Sequence, residues 1–281
     1  MGSMVYQVQL ALQSQLRIGE SRHDAKRAEG THAPEGIFSY GTFETYLKQA
    51  CAFVKWAKEV YGCNTLEKAW FYVEAYLQRG IDAGLSPATL STQRAALCKL
   101  YHCGADDLCI RLPPRNRGAI TRSRNAVARD IGFSTIANAD IIAFAQATGL
   151  RRHELAAVKS VQIHKRDEKL QIVDVIGKGG KVRNVDVLPG RHEAVFPYAD
   201  LLGRKRIFDH IPSHMDVHGY RREYAQELYA LVARPPDTLS SSEKYFCRND
   251  KAGTVYDRQA MLYVSRQLGH TRISVVAGHY L

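Results

Sequence analysis

No run of about 18 apolar residues occurs in this chain, so the sequence offers no candidate membrane-spanning helix. Nor does it open on a basic leader followed by an apolar stretch, so no secretory signal or transit peptide is read. Of the six cysteines, Cys51, Cys63, Cys98, Cys103, Cys109 and Cys247, none forms a CxxC pair, and most lie among apolar helical positions. That usage reads as reduced thiols, several of them in a core, rather than a disulfide framework. Cys98, His102, Cys103 and Cys109 can be drawn as a zinc site, but their spacing fits no standard finger. There is no Walker-type phosphate loop, no carboxylate cluster suited to a metal, no internal repeat and no long low-complexity segment.

Positive charge is what the chain has in excess. Thirty-nine Lys and Arg stand against 28 Asp and Glu, giving a formal net charge of +11 and a pI near 9.4. Such an excess favours a polyanionic partner, whether DNA, RNA or an anionic membrane surface. Many soluble proteins are simply basic, so the placing of the charge matters more than its sum. At 281 residues, 45% hydrophobic and 24% charged, the chain is long enough for two ordinary globular domains. Met1-Gly2-Ser3 reads as a tag remnant ahead of Met4.

The first hundred residues are helical in pattern. Residues 5–18 carry apolar side chains at helical spacing, and a polar stretch with Gly30, Pro34 and Gly36 then breaks it. From Thr42, a candidate N-cap, Phe43, Tyr46, Leu47, Ala50, Phe53, Val54, Ala57 and Tyr61 fall on one face, with Gly62 after the last turn. A second helix is expected over Leu66–Gln78. A third starts at Ser86-Pro87, where a capping hydroxyl precedes a proline whose missing N–H costs nothing at the first helical position. Its apolar face includes Leu90, Leu97, Leu100 and Tyr101.

Residues 110–130 change character, with two prolines, one glycine and six arginines in place of apolar periodicity. They read as a basic linker, either a solvated connector or a strap across a phosphate backbone, for which guanidinium forks are suited. Arg115, Arg117, Arg122 and Arg124 are the candidate DNA contacts. Beyond the linker a helix is expected at 138–147, then Thr148-Gly149-Leu150, then a helix from Arg151. Residues 170–188 read as a β-hairpin around Gly177-Lys178-Gly179-Gly180-Lys181. The remainder is mainly helical, interrupted by Pro235-Pro236 and a polar stretch through Ser242. The fold class is therefore mainly α with a small β-hairpin or sheet (α+β), in two domains: 1–109 helical, 110–130 linker, 131–281 the second domain.

Five short pieces follow one another in that second half: Thr148-Gly149-Leu150-Arg151-Arg152-His153-Glu154-Leu155, the Gly177–Lys181 turn, His218-Gly219-Tyr220-Arg221, Leu268-Gly269-His270, and Gly278-His279-Tyr280. Each alone has an ordinary reading: a helix start with a surface ion pair, a solvated turn, a polar helix face, a packed terminal tyrosine. Their order and spacing together are far more specific. The set resembles the tyrosine recombinase or phage integrase family, whose pattern is TGxR–xxEL, a hairpin lysine, HxxR, LGH and a following tyrosine. The likeness spans nearly the whole chain. "TFETYLKQACAFVKWAK" and "GLSPATLSTQRAALCKLY" resemble that family's helical core-binding domain, and "LGHTRISVVAGHYL" is similar to integrases of conjugative transposons and related bacterial elements.

That resemblance implies a site-specific DNA recombinase that cleaves and rejoins DNA through a 3′-phosphotyrosyl link, integrating or excising a mobile element without a cofactor. It makes Tyr280 the nucleophile, Arg151 and Arg221 the phosphate-binding arginines, His218 the proton acceptor, His270 a phosphate ligand and Lys178 the proton donor to the leaving 5′-oxygen. Arg152 and Lys181 remain rivals of Arg151 and Lys178. The chemistry suits these residue types. Two guanidiniums hold the non-bridging oxygens as charge develops, and a phenol with an ordinary pKa of about 10 needs an acceptor or a strongly positive neighbourhood. Glu154 is expected to be structural, since a carboxylate on the scissile phosphate would repel it.

The implied partners are duplex recombination sites, a homotetramer on synapsed DNA and an accessory directionality or bending protein. The implied setting is the bacterial cytoplasm, at the nucleoid and away from membranes. Two departures stand out: Tyr280 lies ten residues after His270, one more than is usual in the family, and 49 positions separate Arg221 from His270. The surplus around Pro235 to Asp257 reads as an inserted loop or extra turns. The stop at Leu281 reads as a trimmed C-terminus, because relatives commonly continue into a tail that packs on a neighbouring subunit. A type IB topoisomerase-like enzyme and an inert DNA-binding regulator are the alternatives.

Overall fold

A computed structural model of the chain describes residues 3–31, 33–115, 132–166, 169–199, 206–248 and 251–281, with the side chains of Arg166 and Lys178 outside that description. It divides into two compact units, Met1–Asn116 and Arg117–Leu281. Arg115 is exposed, while Arg117, Arg122 and Arg124 lie outside the described residues.

The first unit comprises α1 (Met4–Gln13), α2 (Arg22–Glu29), α3 (Tyr40–Tyr61), α4 (Leu66–Trp70), α5 (Val73–Asp82) and α6 (Pro87–Leu100). α1 and α6 both pack on α3, burying Val8, Leu12, Phe53, Val54, Ala57 and Leu97. Ser86 caps α6 by accepting the Thr89 N–H, with Pro87 in the first turn as its sequence predicts. Ser3 does the same for α1 through the Tyr6 N–H, so a residue of the expected tag remnant caps a helix.

Three helix expectations need correcting. The cap of α3 is Ser39 rather than Thr42, whose hydroxyl instead shares a hydrogen bond with that of Ser39 at 2.8 Å. The helix expected over Leu66–Gln78 is two, broken at Phe71-Tyr72. The stretch read as polar and irregular contains α2, of which only Ala25 is buried.

The second unit is built from α7 (Ala139–Thr148), α8 (Arg152–Ala157), β1 (Ile163–Arg166), β2 (Lys169–Ile176), β3 (Val182–Asp186), α9 (Val217–Val232), β4 (Lys244–Phe246), β5 (Val255–Asp257), α10 (Arg258–Gln267) and α11 (Ile273–His279). The expected hairpin is β2–β3, with Ile172 opposite Val185 and Ile176 opposite Val182, and β1 adds a third antiparallel strand on the outer side of β2. Its buried face, with Leu170, Ile172, Val175, Val185 and Val187, joins Phe144, Leu150, Leu155, Tyr224, Met261, Val264 and Leu268 in one core. α7 packs on α9, and α10 packs on α9, α11 and β3. The Pro235–Asp257 surplus, expected as loop or extra turns, contains the two-stranded antiparallel ribbon β4–β5. No described helix is long and apolar enough to cross a membrane.

Candidate active site

The turn after α7 sets the first arginine. Gly149 takes φ +58° at the C-cap of α7, its N–H closing on the Ala145 carbonyl at 2.9 Å. A side chain is excluded there twice over. Left-handed backbone disfavours a Cβ, and a Cβ would lie 2.4 Å from Cδ1 of the buried Tyr224 on α9. The close approach of α7 and α9 brings the Gly149 carbonyl to the Arg221 guanidinium, which donates to it from Nη1. Arg151 then stands in extended conformation as the N-cap of α8.

Glu154, on the first turn of α8, has a side chain with no exposed surface. Its Oε2 accepts the Arg151 backbone N–H at 2.8 Å and its Oε1 accepts Arg151 Nη1 at 2.8 Å. Arg183 on β3 adds a bidentate pair to the same carboxylate, both bonds at 2.8 Å, and donates from Nε to the Gln267 carbonyl at 2.8 Å. Burial works to raise the Glu154 pKa. The Arg183 hydrogen bonds, the Arg151 N–H and nearby guanidinium charge outweigh it and hold it at about 2. The carboxylate is thus a charged anchor for two arginines, as its structural reading anticipates.

α10 carries the next piece. Asp257 caps it by accepting the Gln259 N–H at 2.9 Å. At its far end Gly269 turns the chain with φ +65°. The His270 backbone is then held by Ser265 at both its N–H (2.8 Å) and its carbonyl (3.1 Å). The Leu268 carbonyl, at the C-cap of α10, accepts Arg151 Nη2 at 2.9 Å and also Arg221 Nη2. The two guanidiniums therefore share one backbone oxygen.

Tyr280 closes the cluster from the C-cap of α11. Its phenol oxygen accepts from Arg221 Nε at 3.2 Å and lies 3.2 Å from His270 Nε2. The Arg221 guanidinium lies 5.7 Å from the Tyr280 ring centroid. The Tyr280 carbonyl accepts from Gln226 Nε2 of α9 at 3.0 Å. Arg221 has no exposed surface and Tyr280 only 8%, whereas 17% of the Arg151 side chain is exposed. Burial draws the Arg221 pKa down; the neighbouring phenol opposes this and the charge of Arg151 adds to it. Burial first, then the charges of Arg221, Arg151 and Arg183, lower His270 to about 4. The imidazole is consequently neutral near pH 7, with Nε2 able to accept the phenolic proton.

Of the six residues singled out from sequence, the fold brings Arg151, Arg221, His270 and Tyr280 into one hydrogen-bonded cluster. His218 is exposed on the first turn of α9, and the histidine against the phenol is His270. Lys178 lies in the turn between β2 and β3; its side chain is outside the described residues, and Lys181 beside it is exposed. Arg152 is used elsewhere: its guanidinium donates to the carbonyls of Ile211, Pro212, Ser213 and Met215 and so fixes the loop that leads into α9. Sequence reading passed over Arg183 and Gln226. Arg183 was legible, because on β3 it shares the period-two face of Val185 and Val187, and a basic residue on a core face calls for a buried partner. Among the described residues no group of three His, Cys, Asp or Glu side chains is placed to hold a metal ion, the Cys98–Cys109 stretch included.

No protein-family model matches the chain, and no curated protein matches it. Among solved structures, the XerH site-specific recombinase bound to difH substrate in a pre-cleavage complex aligns with a TM-score of 0.50 at 14% identity, over 98% of this chain and 91% of that one. A post-cleavage complex of XerH with palindromic difH substrate aligns with a TM-score of 0.51 at 14% identity, over 98% and 90%. The Tn1549 transposon integrase in complex with circular intermediate DNA aligns with a TM-score of 0.48 at 12% identity, over 100% and 96%. At such identities the likeness is one of fold: the chain is built on the tyrosine-recombinase fold.

Proposed function

We propose that this protein is a site-specific DNA recombinase that breaks and rejoins duplex DNA through a covalent link to Tyr280. The observation that carries the proposal is the phenol oxygen of Tyr280 held between Arg221 Nε and His270 Nε2, each at 3.2 Å, beside an arginine that shares the Leu268 carbonyl with Arg221.

The chemistry follows from the donors. Arg151, the more exposed guanidinium, meets the scissile phosphate first. Attack turns the phenol oxygen towards phosphorus, which releases Arg221 Nε–H to a non-bridging oxygen as that oxygen gains charge. The phenolic proton passes to the neutral His270, a role that the sequence reading gave to His218; His218 is assigned instead to a phosphate oxygen. The tyrosyl O–P bond forms and the bond from phosphorus to the 5′-oxygen breaks, Lys178 on the hairpin turn supplying the departing oxygen with its proton. The phosphotyrosyl ester retains the energy of the phosphodiester, so a 5′-hydroxyl reverses the step and reseals a strand. The net charge of +11 and the arginine-rich linker suit a duplex DNA partner, with four copies on two synapsed duplexes for strand exchange.

The test is incubation of the full chain with nicked duplexes bearing candidate element ends. A protein–DNA adduct stable to denaturant is expected, with its loss in Tyr280→Phe. An adduct that persists in that variant removes Tyr280 as nucleophile. Supercoil relaxation without recombinant products would point to a topoisomerase instead.

A further inference from the structure

The stretch from Pro235 to Asp257 has no part in the mechanism above, yet its ribbon is fastened to the helices that carry the site. Arg234, just past α9, donates from Nε to Asp257 at 2.8 Å and from Nη1 to Glu243 at 2.6 Å. The Asp257 N–H donates to the Tyr229 phenol oxygen of α9 at 2.8 Å, while its carboxylate caps α10. Between β4 and β5, Lys251 reaches α11: its Nζ donates to the Ala277 carbonyl at 2.9 Å and also to a terminal carboxylate oxygen of Leu281.

Three features give that reach a purpose. α11 has only seven residues, too few to be stable alone; the Val276 carbonyl accepts the Tyr280 and Leu281 N–H groups, and the carbonyls after it in the last turn need partners from outside the helix. An ammonium there satisfies them and opposes the negative end of the helix. A cavity of about 560 Å³ lined by Phe246, Cys247, Arg248, Lys251, Ser274 and Ala277 lies between ribbon and helix, so apolar packing does not fill this side of α11. In the proposed attack, moreover, the phenol gives up its bond to Arg221. The side chains of Gln226 and Lys251, donating to the Tyr280 and Ala277 carbonyls, then hold the nucleophile in place.

We infer that Lys251 is a positioning residue, through which the ribbon holds the last turn of α11 and keeps Tyr280 at attacking distance. The inference rests on the reading of Tyr280 as nucleophile, and its test separates the two. The full chain, Lys251→Met and Lys251→Arg are compared on a nicked duplex and on the same duplex carrying a 5′-bridging phosphorothiolate, whose sulfur leaves without a proton. Lys251→Met is expected to slow adduct formation on the order of 10- to 100-fold, equally on both substrates, with DNA affinity unchanged and Lys251→Arg recovering most of the rate. Recovery of Lys251→Met on the phosphorothiolate would make Lys251 a proton donor and overturn the inference. A loss explained by weaker DNA binding would make it a phosphate contact, and an unchanged rate would leave it no role. Amide hydrogen exchange over residues 276–280 supplies an arm independent of activity. If the unsubstituted chain forms no adduct, the nucleophile reading fails. Faster exchange there in Lys251→Met then still supports the clasp, and unchanged exchange overturns it.

Discussion

Replacing Glu154 by glutamine removes the buried charge that Arg151 and Arg183 share, and its effect on stability can be worked out beforehand. The drop from an ordinary carboxyl pKa of 4.5 to about 2 corresponds to roughly 3 kcal/mol, at about 1.4 kcal/mol per tenfold. Breaking a buried ion pair by removing one partner costs about 3–5 kcal/mol. Arg151 and Arg183 retain 17% and 10% side-chain exposure, and glutamine keeps one acceptor, so the lower figure applies. For a unit of this size, about 3 kcal/mol lowers Tm by roughly 6–12 °C. The chain supplies its own control, because both tryptophans, Trp56 and Trp70, lie in the first unit. Tryptophan fluorescence should therefore melt as in the unsubstituted chain while calorimetry shows the other transition displaced. The sign of the pH dependence is also fixed. A carboxyl whose folded pKa lies below its unfolded one contributes fully above pH 4.5 and loses that contribution as pH falls towards 2. The gap between variant and parent should accordingly close across that window. A gap that persists at the acid end, or a shift confined to the fluorescence transition, would refute the reasoning.

Two further outcomes follow from the same geometry. With His270 at about 4, kcat/KM for adduct formation should hold from neutral pH down to about 5 and fall through about 4; an acid limb centred near 6.5 would show that a different group accepts the proton. Gly149→Ala forces a Cβ into positive φ and against Tyr224, which should cost roughly 2–4 kcal/mol in urea unfolding. Gly190→Ala, with no positive φ and nothing within 4 Å, should stay within about 0.5 kcal/mol.

What could be read beforehand depended on how strongly each feature writes itself into local pattern. Ser86-Pro87 fixes a helix start through two independent preferences, and the observed cap uses both. α2 has a polar sequence and only Ala25 buried, so it has no apolar periodicity to detect. The break at Phe71-Tyr72 is hidden for the opposite reason: Leu66, Ala69, Val73 and Leu77 keep helical spacing straight across it. Strands of three residues, such as β4 and β5, are too short for alternation to register. The first cap of α3 had rival hydroxyls at Ser39 and Thr42, and a three-residue offset separates a cap from its bonding partner. In the site, motif order identified four residues that converge, Arg151, Arg221, His270 and Tyr280, but not which donor each would face. Arg151 and Arg152 are chemically identical in sequence; only the path of the loop before α9 decides that Arg152 is spent on four carbonyls. Likewise His270 meets the phenol because Gly269 turns the chain and Ser265 holds the histidine backbone, which no spacing rule states.

The Leu268 carbonyl, accepting from both Arg151 and Arg221, makes the two guanidiniums answer to a peptide group rather than to a side chain. No point substitution can delete that oxygen. The distance between the two charges is therefore indifferent to the identity of residue 268, provided its buried volume is kept, but exposed to any change in chain length between Gln267 and His270. A one-residue insertion or deletion there would move the shared oxygen, and with it both arginines, while leaving every side chain of the cluster in the sequence. Tolerance to replacement at Leu268 and intolerance to frame slippage around it are in this way built into one turn.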